Sequence, residues 1–77
     1  MQKLILSIVR PIVDFPDDVR VNVKEEAQRI TYHLSVHEND IGKVIGRHGR
    51  VAKAIRTVVY AAAGLKQHKK VYMEIDE

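Results

Sequence analysis

Ile41-Gly42-Lys43-Val44-Ile45-Gly46-Arg47-His48-Gly49-Arg50 is the stretch from which the fold is read. Gly46 and Gly49 frame two basic or ionisable residues, Arg47 and His48. Glycine permits left-handed backbone angles and, lacking a Cβ, lets a second backbone come close. A turn with glycine at both ends can aim successive N–H groups outward. Before it, Glu38-Asn39-Asp40 offers an N-cap for a short helix over residues 40–45. After it, a long helix is expected from about Arg50 to Ala63, with Gly64 as its stop. That helix brings its own unpaired N–H groups and positive dipole end to the turn. Arg47 adds a planar guanidinium, and Lys43 and Arg50 add charge on either side. The combination makes an anion site. G-x-x-G alone also suits a plain corner between two helices.

The flanking segments extend the pattern. Leu4, Ile5, Ile8, Val9, Ile12 and Val13 recur at helical spacing, predicting an amphipathic helix over 3–14 in which Pro11 kinks the last turn. Phe15-Pro16-Asp17-Asp18 is a turn. Val19, Val21 and Val23 alternate with polar residues, as do Ile30, Tyr32, Leu34 and Val36, so two half-buried strands follow. The short connection at Glu25–Gln28 makes them an antiparallel hairpin. Leu65 to Lys69 form a loop, and Val71, Met73 and Ile75 give a last strand. The order is α-β-β-α-α-β. That predicts a two-layer α+β domain with a three-stranded mixed sheet and three helices on one face. Two helices separate the second and third strands, which permits parallel pairing.

Length and composition bound the function. Seventy-seven residues make one domain, 1–77, with 45% hydrophobic residues for one compact core. A chain this short has thin stability unless something staples it. Without cysteine there is no disulfide and no thiolate zinc site. This fits a reducing compartment, and the cytoplasm is expected. No apolar run approaches the roughly 20 residues of a membrane span, and the first residues do not read as a signal peptide. A transmembrane protein, a secreted disulfide scaffold and an enzyme with a large cleft are excluded. Oligomerisation is the remaining staple.

The net charge of +3 hides an asymmetry. Lys43, Arg47, Arg50, Lys53, Arg56, Lys66, Lys69 and Lys70 lie within residues 41–70, where no Asp or Glu occurs. The rest of the chain holds five basic and ten acidic residues. A one-signed block raises the local potential and attracts polyanions.

With those residues in view, the segment resembles the signature of the KH domain, a single-stranded nucleic-acid binding module whose G-x-x-G loop joins two helices. Gly42, Gly46, Gly49 and the aliphatic residues around them stand in place. The α-β-β-α-α-β order is that of the type II topology. The run from Val44 to Arg50, continued through Ala54-Ile55-Arg56-Thr57-Val58-Val59, is similar to the KhpA family of small bacterial KH proteins, over essentially the entire chain. His48 departs from the Lys or Gln of many members.

The resemblance implies that the loop clamps the backbone of about four nucleotides. Gly46, Arg47, His48 and Gly49 would hold phosphates, Lys43, Val44 and Ile45 would line the groove, and Arg50 and Lys53 would extend its basic wall. Ile41 is expected in the core, Arg56 faces another side, and Lys66, Lys69 and Lys70 steer or are solvated. The implied function is single-stranded RNA binding, as an RNA chaperone or post-transcriptional regulator tied to cell-wall synthesis and cell length. The implied partner is a second copy or a larger Jag-type protein, KhpB (also EloR), with its own KH domain. A protein-interaction subunit with a vestigial nucleic-acid surface and a single-stranded DNA binder are the alternatives. Few aromatics are available for stacking, and Tyr32 falls on the apolar face of its strand.

The long helix carries more apolar surface than one contact needs. Val51, Ile55, Val58 and Ala62 form the expected core stripe, and flanking alanines and Val59 widen it to about 200° of arc, beyond the roughly 100–140° a sheet covers. Self-association through Thr57, Val58, Tyr60 and Ala61 is therefore expected. Other signals carry no chemistry. His33 and His37 lie about 13 Å apart on a strand, too far to share a metal. Glu25 and Glu26 are turn carboxylates, and the Ser and Thr residues lack a His/Asp partner. No catalytic residue, metal site or cofactor is expected, and no enzyme.

Overall fold

The computed structural model describes residues 1–64 and 69–76. The expected loop over 65–69, with Lys66, therefore lies outside the described residues except for Lys69. Helix α1 (Gln2–Val9) is followed by strands β1 (Arg20–Glu25) and β2 (Arg29–Ser35), helices α2 (Ile41–Ile45) and α3 (Arg50–Gly64), and strand β3 (Lys70–Ile75). Short 3-10 turns stand at Pro16–Asp18, Glu38–Asp40 and Arg47–Gly49.

Helix α1 is shorter than its apolar spacing suggested. Its last bond runs from the Arg10 N–H to the Leu6 carbonyl, 3.0 Å. Pro11 has no N–H to continue the ladder, so the helix ends rather than kinks. A turn closed by Ile12 N–H on Val9 O, 2.9 Å, then delivers Val13 to the core.

The sheet order is β1-β2-β3. Strands β1 and β2 pair antiparallel, Arg20 opposite Ser35 through Glu25 opposite Ile30. The expected parallel pairing follows, with Arg29 opposite Lys70 through Leu34 opposite Ile75. This register puts Ile30, Tyr32, Leu34 and Met73 on the face that meets the helices. They form one core with Ile5 and Val9 of α1, Val44 of α2, and Ile55 and Val59 of α3. Tyr32 is in that core, and burial, assisted by the Glu25 carboxylate, pushes its phenol pKa up. The opposite face is bare. There Thr31 is only 4% exposed because Arg29 covers it. The Arg29 guanidinium lies 4.6 Å from the centre of the Tyr72 ring and donates to Thr31 Oγ1 at 3.4 Å.

Side chains from the helices reach both sheet edges. Gln2 Nε2 donates to Val21 O of β1 at 3.3 Å. On β3, Arg56 Nε donates to Met73 O and Met73 N–H donates to the Tyr60 hydroxyl, each at 3.2 Å. Occupying both backbone groups of Met73 makes the middle of this edge a poorer template for another strand.

Asp40 departs from the expected capping role. It stands at the N-cap position of α2, but its side chain makes no capping bond there. The residue is 0% exposed, and its carboxylate accepts from the N–H groups of Asp14 (3.1 Å) and Phe15 (3.0 Å). Burying a carboxylate is costly unless it is bonded, so these two bonds are what permit it. They tie the turn after α1 to the start of α2. Asp40→Ala should lower stability by about 2–4 kcal/mol, because two backbone donors lose a charged acceptor. Asp40→Asn should lose less. Urea unfolding should show the midpoint falling with the m-value unchanged.

Candidate nucleic-acid interface

The loop between α2 and α3 is built on left-handed backbone. Gly46 has φ 74°, Gly49 φ 73°, and His48 between them φ 59° and ψ 24°. The two glycines are needed for different reasons. A Cβ on Gly46 would meet Cβ of Val51 at 2.8 Å and the Val51 backbone nitrogen at 3.0 Å, whereas a Cβ on Gly49 would meet open space. Gly46 therefore lets the first turn of α3 pack directly against the end of α2. Gly49 is there for its backbone angle alone.

Three bonds close the loop: Gly46 N–H to Gly42 O (2.8 Å), Gly49 N–H to Gly46 O (3.2 Å) and Arg50 N–H to Arg47 O. The N–H groups of Arg47 and His48 take no part in them. They stand beside the N-terminus of the 15-residue helix α3. Backbone donors and a helix dipole of one sign thus converge on one bend.

The side chains divide by what holds them. Arg47, His48, Arg50 and Lys53 are all exposed, and Arg47, Arg50 and Lys53 make no ion pair among the described residues. Lys43 pairs with Asp14, and Lys69 pairs with Glu25 at 2.9 Å. Arg56 is spent on Met73 O. Three unpaired cations of the basic block, Arg47, Arg50 and Lys53, are thus gathered on the loop and the first turn of α3, and Lys70 is exposed at the start of β3. Ile45 is half-buried, but Val44 is wholly buried in the core, so its side chain offers no groove surface. Ile41 is half-buried.

Helix α3 is rotated from its expected setting. Its core stripe is Ala52, Ile55, Val59 and Ala63, not the one containing Val58. Val58 is 49% exposed, and Thr57, Tyr60 and Ala61 are exposed with it. An apolar cleft of about 330 Å³ runs beside Val58, lined by Ile8, Ile12, Val51, Ala54 and Ile55 with Arg50.

Other titratable groups form no second centre. His33 sits between Glu74 (3.6 Å) and Asp76 (3.5 Å) on the bare sheet face. His37 lies beyond the strand, where its Nδ1 accepts from Asn39 N–H at 3.0 Å. Among the described residues no three His, Cys, Asp or Glu side chains group as a metal site, and no helix is long and apolar enough to cross a membrane. Three features had no sequence signal: the buried role of Asp40, the pair of side chains on Met73, and the stacking of Phe15 on His37 with ring centroids 4.1 Å apart.

Comparison with known proteins agrees with this geometry. The family model described as KhpA/KhpB, KH domain, matches residues 2–75. The chain is 54% identical over 77 residues to RNA-binding protein KhpA of Listeria monocytogenes, covering all of both chains. It is 56% identical over 75 residues to RNA-binding protein KhpA of Bacillus subtilis, covering 97% of this chain and 91% of that one. Among solved structures, Era of Aquifex aeolicus bound to GDP.AlF4- superimposes with a TM-score of 0.73 over 96% of this chain, at 19% identity. Era in complex with MgGDPNP and nucleotides 1506–1542 of 16S ribosomal RNA gives a TM-score of 0.63 over 97% of this chain, at 16% identity. This chain spans only 28% and 30% of those longer chains, and at such identities the likeness concerns the fold alone.

The unequal glycines give a graded expectation. Gly46→Ala should cost about 2–4 kcal/mol, since it adds overpacking against Val51 to an unfavourable backbone angle. Gly49→Ala should cost about 1–2 kcal/mol, from the backbone angle alone. Denaturant midpoints of the two variants measure the difference.

Proposed function

The chain belongs to the KhpA/KhpB family of KH domains, and from that we propose that it binds single-stranded RNA through the 46–49 loop and the first turn of α3. One observation carries this: the N–H groups of Arg47 and His48, left out of the loop's own bonds, stand next to the unpaired cations Arg47, Arg50 and Lys53. Phosphates of a single strand fit those donors and charges. The protein is a binding module, not an enzyme, and works as an RNA chaperone or post-transcriptional regulator. A vestigial surface is disfavoured by the exposed Arg47, Arg50 and Lys53, which make no ion pair among the described residues.

The working form is a dimer through the outer face of α3. Val58, Ala61 and Thr57 present that face, and the neighbouring cleft continues it to Ile8 and Ile12. Tyr60 contributes the exposed part of its ring while its hydroxyl stays on Met73. The partner is a second copy or the KH domain of a KhpB-type protein, which the same family model describes. Roles in cell-wall synthesis and cell length, and a cytoplasmic location, are supported by the family resemblance.

Arg47→Asp/His48→Asp should abolish binding of an unstructured oligoribonucleotide with the fold intact. Both side chains are exposed, and Asp tolerates the left-handed backbone at position 48. For the wild type, two to four neutralised phosphates give a log–log salt slope of about −1.4 to −2.8. Fluorescence anisotropy across a salt series measures both, and wild-type affinity in the loop variant would remove the loop from the mechanism. The same titration with oligodeoxyribonucleotides separates RNA from DNA preference. Val58→Glu should give a monomer in sedimentation. It should leave short-oligonucleotide affinity unchanged but weaken long strands that span two sites by about 100-fold or more.

A further inference from the structure

The aromatic residues of this chain are few, and most are committed. Tyr32 is in the core, Tyr60 holds the edge of β3, and Tyr72 lies under Arg29. Phe15 is different. It is 43% exposed, and its ring stacks on the imidazole of His37 with an interplanar angle of 20°. Both rings are held from behind. The buried carboxylate of Asp40 fixes the Phe15 backbone through its N–H, 3.0 Å. His37 Nδ1 accepts from Asn39 N–H at 3.0 Å, which holds the imidazole plane. The result is a preorganised flat surface, not a loose apolar side chain.

Its position relates it to the loop. Lys43 of α2 pairs with Asp14, the residue before Phe15. The 37–40 turn that carries His37 leads into the N-terminal end of α2, and the 46–49 loop leaves its C-terminal end. The five residues of α2 span only about 7 Å. Charge distinguishes the two ends. Around the ring pair the chain carries Asp14, Asp17, Asp18 and Glu38, of which Asp14 is matched by Lys43, while Arg20 donates to the Asp17 carbonyl at 3.1 Å and Asp40 is buried, so acidic groups outnumber basic ones. That environment repels a phosphate but not the face of a base.

We propose that the stacked Phe15–His37 pair is a base-stacking platform that takes one nucleobase of the same single strand whose phosphates lie on the 46–49 loop. This rests on the RNA-binding function proposed above and extends the footprint to the far end of α2. Stacking on a flat ring is tolerant of sequence but stronger for purines, so the platform adds affinity without adding a phosphate contact.

The test uses the full chain and unstructured octaadenylate and octauridylate. Phe15→Leu keeps apolar bulk without the π-face. It should weaken octaadenylate binding about 5- to 100-fold, narrow the preference for adenylate over uridylate, and leave the salt slope unchanged. Phe15→Tyr should bind like wild type. Phe15→Trp places the sole tryptophan in the chain, and its emission should be quenched by saturating octaadenylate. Wild-type affinity in Phe15→Leu while Arg47→Asp/His48→Asp fails to bind would overturn the platform and leave the loop standing. An unquenched Phe15→Trp, or a Phe15→Leu whose salt slope falls with its affinity, would also overturn it. Wild-type affinity in the loop variant would instead bring down the RNA-binding function itself.

Discussion

The contact between Gly46 and Val51 is the constraint from which the site follows. There is no room for a methyl group at position 46, and its backbone is left-handed. The end of α2 and the first turn of α3 are therefore pressed together, and residues 47–49 have to turn within three positions. Within that bend the Arg47 and His48 N–H groups are left out of the loop's own hydrogen bonds. His48 adopts the left-handed region without being glycine, at about 1–2 kcal/mol relative to an ordinary residue. Glycine there would relieve the angle. Keeping an imidazole on a strained backbone, at the tip of a cationic turn, is the pattern of a position held for its side chain.

The charge of the basic block separates into two populations by the same geometry. Lys43 and Lys69 are matched by Asp14 and Glu25 from distant parts of the chain, and Arg56 serves the sheet edge. Exposed pairs of this kind add little stability. Their effect is on the field: pairing lowers the positive potential around Lys43 and Lys69, while Arg47, Arg50 and Lys53 stay unmatched together beside the dipole end of α3. A strand approaching from solvent is drawn to that point rather than to a diffuse basic surface.

How far the sequence discloses this depends on the kind of signal. Alternation in Val21–Val23 and Ile30–Leu34 has a period no helix shares, so the hairpin was legible, as was the buried face of β2; β1 lies at the sheet edge, where Val21 is only half-buried and Val23 is 43% exposed, against expectation. The glycine loop was legible because position 46 tolerates nothing else. The setting of α3 was not. With apolar residues around most of its circumference, a wheel cannot choose between Val58 and Val59, and the deciding contact is Arg56 reaching Met73 of β3, 17 positions away. Val44 was misplaced for a related reason: a five-residue helix is too short for periodicity to separate core from groove. Asp40 showed only as a cap because its partners, Asp14 and Phe15, lie about 25 residues earlier. Helix α1 was overextended because its apolar pattern continues past Pro11, and the missing N–H outweighs that pattern.

Helix α3 links these observations to assembly. One stripe faces the core, a second carries Arg56 and Tyr60 to the β3 edge, and a third, around Val58 and Ala61, is left open. A small domain gains from association, but the route matters. Pairing through a sheet edge leaves a new edge exposed after every addition and need not stop. Pairing of one helix face with its own copy is self-complementary and closes at two. Occupying the Met73 N–H and C=O from within the chain works against the open-ended route at the middle of β3 and leaves the closed one available. The loop and the cations of α3 lie at the N-terminal end of the same helix. Two copies joined along that helix would therefore present two phosphate sites at a fixed separation, which is the arrangement a strand longer than one footprint can use.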